Sequence, residues 1–220
     1  TGWVWNELTT VPDVQTPVYE ATYTPADTNN YQIVVIDVPL EITKAPVLIT
    51  ADNKSTTYGN VEPEFTYAFS GFKGADDENN VPRTGNIVAS CDYNTLVPAN
   101  RNADDYAIVL SGNPESNNYA YTLVDGTLTV NKADLRVKAD NKSVVYGSLA
   151  PVFTNTYTED DLVYDEDTIA NSVDASGMNF DCSYAVGSDV GTYAIEPNGL
   201  VSTNYNFIYT NGVLTVTKAT

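Results

Sequence analysis

No histidine occurs anywhere in the 220 residues. That removes the side chain most often used as a general base near neutral pH, and the commonest nitrogen ligand for metals. Positive charge is scarce as well. Ten lysines and arginines stand against 29 aspartates and glutamates, a formal net charge of −19. A chain this acidic repels phosphate backbones and anionic headgroups, which argues against nucleic acid and bare membrane as partners. Long apolar runs are missing: the longest aliphatic stretch, Ile33-Val34-Val35-Ile36, is far too short to span a bilayer. No leader pattern is visible. G-x-S-x-G, P-loop, H-E-x-x-H and C-x-x-C signatures are all absent. Catalytic, cofactor-binding and metal-ligating residues are therefore expected to be none.

What is present is enough apolar surface to fold. The chain is 42% hydrophobic and 11% aromatic, and tyrosine supplies 16 residues. Richness in tyrosine and threonine favours strands. The length allows two or three small domains.

The chain repeats itself. "KAPVLITADNKSTTYG" at 44–59 matches "KADLRVKADNKSVVYG" at 132–147, and "NNYAYTLVDGTLTVNKA" at 117–133 matches "TNYNFIYTNGVLTVTKA" at 203–219. Shorter matches fall between them in the same order: "EPEFTY" with "APVFTN", "SCDY" with "DCSY", "DYAI" with "TYAI". Residues 45–132 and 133–220 thus read as two copies of one module, the second followed by its terminal residues. Residues 1–44 end alike, in "NNYQIVVIDVPLEITKA", and read as the C-terminal part of a related, tryptophan-containing β module that is entered part-way. The period is domain-sized, longer than a solenoid unit.

Within each copy the alternation of apolar and polar residues predicts strands at "VLITA" and "LRVKA", and on both sides of Asp125–Gly126 and Asn211–Gly212. Asp-Gly and Asn-Gly between alternating runs predict two-residue type I′ hairpins. Leu128 and Val130, like Leu214 and Val216, should share a buried face. Residues 31–43 are expected to run as one long or bulged strand, and 157–173 to hold a short helical turn. The inward positions Leu128, Val130, Leu135 and Val137 break the period-two parity, so the chain should change face at the copy boundary. With so short a linker, successive modules should hold a restricted orientation and form an elongated array. The fold class is mainly β, each module being either sandwich-like or a β-grasp-like sheet with a crossover helix.

"ADNKSTTYG", "FTY", "FSGF", "YAI" and "NYAYTLVDGTLTVNKA", in this order, resemble the MBG-type (YGX-type) tandem repeat modules of bacterial surface and adhesin-like proteins. The resemblance implies a non-enzymatic, extracellular repeat region of a cell-surface protein, acting as the stalk or spacer of an adhesin. The alternative it leaves open is an adhesive module that grips host glycan, mucin or a surface protein through exposed tyrosines and variable loops. It implies a secreted monomer with no membrane insertion. The positions that carry it are Tyr58, Gly59, Tyr146, Gly147, Asp125, Gly126, Asn211 and Gly212, all read as structural.

Cys91 and Cys182 occupy the same slot in different copies, a module length apart, so each is expected to be a lone buried thiol. The acidic clusters at Asp76–Glu78, Glu159–Asp161 and Asp165–Asp167 lack the alternating spacing that wraps a calcium ion, and are expected to be solvated loops. Five of the seven lysines sit at repeat-equivalent slots; those at the boundaries, Lys44, Lys132 and Lys218, are expected to pair with local carboxylates. The copies differ most in two loops. Cys91 to Tyr106 spans 15 residues against 11 for Cys182 to Tyr193, while Ser55 to Cys91 spans 36 against 39 for Ser143 to Cys182.

Overall fold

A computed structural model describes residues 2–6, 13–15 and 18–220. Among the described residues seventeen strands alternate with loops. The N-terminal region holds β1 (Gly2–Trp5), β2 (Val18–Thr24) and β3 (Val34–Pro39). The first copy holds β4 (Ala45–Ala51), β5 (Lys54–Thr57), β6 (Tyr67–Ser70), β7 (Ile87–Cys91), β8 (Asp105–Gly112), β9 (Tyr119–Val124) and β10 (Gly126–Asn131). The second holds β11 (Ala133–Ala139), β12 (Lys142–Val145), β13 (Asn155–Tyr157), β14 (Asn179–Asp181), β15 (Gly191–Asn198), β16 (Tyr205–Thr210) and β17 (Gly212–Thr217). Among the described residues the only α-helix is the single turn α1, Ile169–Ser172.

Two compact units share the chain: Thr1–Asp52, Phe65–Ser90 and Ile108–Gly126 in one, Asn53–Glu64, Cys91–Ala107 and Thr127–Thr220 in the other. The division falls inside the first copy, so the second unit holds all of the second copy and part of the first.

The second copy is a two-sheet sandwich. One sheet has the order β13-β11-β16, the other β12-β17-β15-β14. Alternate residues of β11 and β17 are buried, as their period-two sequences predict. Ala139 from the first sheet meets Ile195, Leu214 and Val216 from the second, with Tyr184 at the edge. Val144, Phe153 and Phe180 close around them. The sandwich therefore replaces the alternative of a sheet with a crossover helix.

The glycine turns are not hairpins. β16 runs parallel to β11, from Ala133↔Tyr205 to Lys138↔Thr210. β17 runs parallel to β12 in the other sheet, from Lys142↔Leu214 to Val145↔Thr217. The strands flanking Asn211–Gly212 thus belong to different sheets, and the chain steps between them side by side with its step at Asp140–Asn141. Neither Asn211 nor Gly212, nor Asp125 nor Gly126, has a positive φ. The glycines serve close approach instead. A Cβ on Gly212 would lie 2.6 Å from the Ala139 carbonyl oxygen and 2.8 Å from that of Asp140, and one on Gly126 would lie 2.8 Å from the Ala51 oxygen. The Asn141 side chain accepts from Val213 N at 2.8 Å, and its counterpart Asn53 accepts from Thr127 N at 2.9 Å. The shared "DN" therefore pins the corner at which the last two strands change sheets.

In the first unit the first copy repeats the three-stranded sheet, order β6-β4-β9, with β4 and β9 again parallel. Phe69 meets Tyr121 and Phe72 meets Tyr119 edge to face, while Phe69 and Phe72 stack. In the second unit β5 and β10 again run parallel, and Leu128 and Val130 are buried.

The N-terminal region forms an antiparallel sheet, β1-β2-β3. The long strand expected over 31–43 is confined to Val34–Pro39. Trp3 rests on Tyr23 but is 54% exposed, and Trp5 is 42% exposed. Val34, Val35 and Ile36 are exposed too, so the tryptophans do not cover this sheet.

Candidate functional site

In the second unit a connected set of polar contacts lies where the first copy meets the second. It begins with the Tyr-Gly turn. Thr57 O accepts from Asn60 N at 2.8 Å, with Gly59 at φ +91° as the third residue of the turn. Tyr93 fixes the turn from behind, its hydroxyl donating to Asn60 O at 2.8 Å. In the second copy Gly147 has φ +85° and the Tyr184 hydroxyl donates to Ser148 O at 2.6 Å. The permissive glycine expected in this phrase is present in both copies.

Tyr58 projects from its turn into the second copy and is 3% exposed. Its ring meets Tyr164 and Tyr205 edge to face, with centroids 5.3 and 5.6 Å away. Its hydroxyl donates to Asp167 at 3.1 Å, and the Tyr205 hydroxyl donates to the same carboxylate at 2.5 Å while accepting from Val163 N at 2.8 Å. Burial, then the Asp167 carboxylate, pushes the Tyr58 phenol up to about 12 and raises Tyr205 further.

Arg101 adds a buried cation. Its guanidinium lies 3.7 Å from the centre of the Tyr164 ring and 2.7 Å from Glu166. The arginine is buried, whereas the Glu166 side chain is 59% exposed. Desolvation opposes the Arg101 charge, and the bond to Glu166 outweighs it. Glu166 is held below the usual carboxylate range by a hydrogen bond to its own backbone and by Arg101.

Both loops are built to present these groups. Asn94 folds the 94–100 segment on itself, accepting from Leu96 N at 2.9 Å and donating its own backbone N–H to Asn100 O at 2.8 Å. That closes a 3-10 turn, Pro98–Asn100, directly before Arg101. Across the joint, Arg136 on β11 grips Asp161 with paired bonds of 2.6 and 2.8 Å. Thr168 and Asn171 cap α1 reciprocally. Tyr164–Asp167 is held between these two anchors. A cavity of about 380 Å³ opens beside them, lined among others by Tyr58, Arg101, Asp167, Ser202 and Asn204.

Three further bonds recur at both boundaries. Lys132 Nζ donates to Ser202 O at 2.6 Å, Ala133 N to Asn204 O at 2.9 Å, and Ala103 N to the Asn204 side chain at 2.9 Å. In the first unit, where residues 1–44 meet the first copy, Lys44 Nζ donates to Ser116 O at 2.7 Å, Ala45 N to Asn118 O at 2.9 Å, and Val14 N to the Asn118 side chain at 3.1 Å. There the Tyr119 hydroxyl donates to Asp76 at 2.5 Å and accepts from Lys73 N at 3.2 Å, as Tyr205 does with Asp167 and Val163. Burial, then Asp76, raises the Tyr119 phenol. The joint is thus written twice with the same bonds.

Several sequence expectations change here. Lys44 and Lys132 bond backbone carbonyls of the next module, not carboxylates. Asp76, Asp161, Glu166 and Asp167 are joint and anchor residues, not merely solvated acids. Cys91 and Cys182 are free and half-buried, not buried. Of the eight motif residues, Tyr58 and Gly59 are at the joint. Tyr146 is 47% exposed and nothing approaches Gly147. Asp125 accepts from Leu110 N at 2.9 Å, and Asn211 donates to Glu196 at 3.3 Å. Arg101, Tyr164, Glu166, Asp167, Asn204 and Tyr205 went unnoticed as a set. The two loop-length differences were the available signal.

A comparison with curated proteins finds no match. The family model described as MBG domain (YGX type) matches twice, over residues 47–129 and 135–215. Its two matches follow the two copies and take in both the Tyr-Gly turns and the sheet-changing glycines, and on that ground the chain belongs to the MBG domain family of YGX type.

Proposed function

We propose that the chain is a non-enzymatic, extracellular part of a bacterial cell-surface protein, serving as the stalk or spacer of an adhesin and acting as a monomer. The observation that carries this reading is the twice-built joint. A flexible tether needs no repeated set of bonds across each boundary, whereas a spacer that must hold a direction does. The use of aromatics supports it: of the 16 tyrosines only Tyr31 and Tyr146 are exposed. The others are buried or half-buried. The variable 92–104 and 158–178 loops meet each other at the joint, leaving less of them for a ligand. Small-angle scattering of the chain in dilute solution tests the reading. An elongated monomeric particle is expected, and a compact one refutes it.

A second reading, binding of host glycan, mucin or a surface protein, has one observation in its favour. Trp3, Trp5 and Tyr31 are exposed aromatics on one small N-terminal region. Multivalent display of the chain on mucin and a glycan array tests it, because weak contacts become visible through avidity. Silence there removes it.

A further inference from the structure

The two loops whose lengths differ between the copies are the two halves of one contact. The first copy's longer loop supplies Arg101, and the second copy's longer loop supplies Tyr164 and Glu166. The Tyr205–Asp167 pair, the boundary lysine and the asparagine each have a counterpart where residues 1–44 meet the first copy. The counterpart of the Tyr164 loop does not carry the same groups. Lys73 N occupies the role of Val163 N, and the short run Lys73-Gly74-Ala75-Asp76 reaches the aspartate without an aromatic ring or a glutamate. The basal joint is common to the repeats, and the arginine contact is particular to this pair.

We propose that the Arg101 loop is a latch that selects the neighbouring module: the surface formed by Tyr58, Arg101 and Ala103 fits a module presenting an aromatic ring, a glutamate and an aspartate in the order of Tyr164, Glu166 and Asp167, and rejects one carrying the short Lys73–Asp76 form. The order in which modules follow one another is then encoded in paired loops. The chemistry favours selection. Arg101 is 7% exposed. Opposite the short loop it would lose both its ring and its carboxylate, the two partners that offset the desolvation of its charge. Gly59 adds a steric component. A Cβ there would lie 1.9 Å from Val163 Cγ1, so the backbone turn abuts this loop directly.

This inference rests on the stalk reading but fails separately from it. Backbone hydrogen exchange of the whole 220-residue chain follows the amide of Ala103, which bonds across the joint to the Asn204 side chain, against those of Ile195 and Leu214 in the second core. Replacing Val163–Asp167 by Lys-Gly-Ala-Asp keeps the aspartate and removes the ring and glutamate. Ala103 protection is expected to fall at least tenfold while the Ile195 and Leu214 amides keep theirs. Arg101→Ala is expected to do the same. Arg101→Lys, which keeps the charge but loses the planar stack, is expected to fall between Arg101→Ala and the unaltered chain. Unchanged Ala103 protection in the loop exchange overturns the latch. If the loop exchange unfolds the second copy, unchanged protection in Arg101→Lys overturns it equally. A compact scattering particle with all of these protections intact overturns the stalk and leaves the latch standing.

Discussion

Placing a methyl group on Gly212 separates two physical reasons for a glycine. The Ala139 and Asp140 carbonyl oxygens would stand 2.6 and 2.8 Å from the new Cβ, and both are backbone atoms of the neighbouring corner. They cannot swing aside as a side-chain tip would, so β11 or β17 must shift. Overpacking of this kind costs roughly 1–3 kcal/mol, and contacts with fixed backbone lie at the upper end. Asparagine brings the same Cβ and a longer side chain, so Gly212→Asn is expected to cost at least as much as Gly212→Ala. Gly147 is the complementary case. Its φ is +85° and no atom lies within 4 Å of its Cβ position. Gly147→Ala should cost about 1–2 kcal/mol for the left-handed conformation alone, and Gly147→Asn less, because asparagine tolerates that region. Urea unfolding followed by circular dichroism measures all four, provided the m-value is unchanged. A type I′ hairpin at Asn211–Gly212 would demand a positive φ, and there asparagine would rescue what alanine loses. If Gly212→Asn is milder than Gly212→Ala, the sheet-changing corner is wrong.

Three further outcomes follow from the joint. Tyr205→Phe removes a hydroxyl that bonds Asp167 and accepts from Val163 N, a loss of about 2–3 kcal/mol by equilibrium unfolding. Tyr119→Phe, with one longer bond and no second tyrosine on its aspartate, should lose less; the reverse order contradicts the geometry. Tyr58 ionises at about 12 in the folded chain, against about 10 in an unfolded one. The raised folded value means that its contribution, on the order of 1–2 kcal/mol, is whole below pH ~10 and lost as pH rises through ~12. Spectrophotometric titration should therefore show a late tyrosinate step coinciding with loss of the joint, and uniform titration near pH ~10 with intact native signals counts against it. Lys132→Met deletes the bond to Ser202 O while keeping much of the aliphatic stem, at a cost of about 0.5–1.5 kcal/mol. Faster exchange at the Ala133 amide is the expected sign, and an unchanged rate refutes the role of this lysine.

Much of the fold was legible because strands announce themselves locally. Leu128, Val130, Leu214 and Val216 were readable as one face from period two alone, and all four are buried. The parity break at the copy boundary likewise marks a change of sheet, from β10 to β11. The turn was misread for a reason that local signals cannot repair. A glycine between two alternating strands suits either a hairpin or a paired crossing between sheets, and only the partner decides. Here that partner, Ala139 with Asn141, lies about seventy residues earlier in the chain.

The joint escaped notice for a related reason. Asp165, Glu166 and Asp167 look like any solvated acidic run until Arg101 and Tyr58 arrive from the other copy. With only three arginines in the chain, the position of Arg101 inside the longer of two homologous loops was already unusual. Its meaning required knowing that the other lengthened loop faces it. Repetition encodes what every module must do alone: change sheets at Asn141, bend at Gly147, fill a core. Departure from repetition encodes what a module does to its neighbour. In this chain both large departures meet at one joint, so differences between copies are better read first as contacts between modules, and as ligand sites only where no neighbour accounts for them.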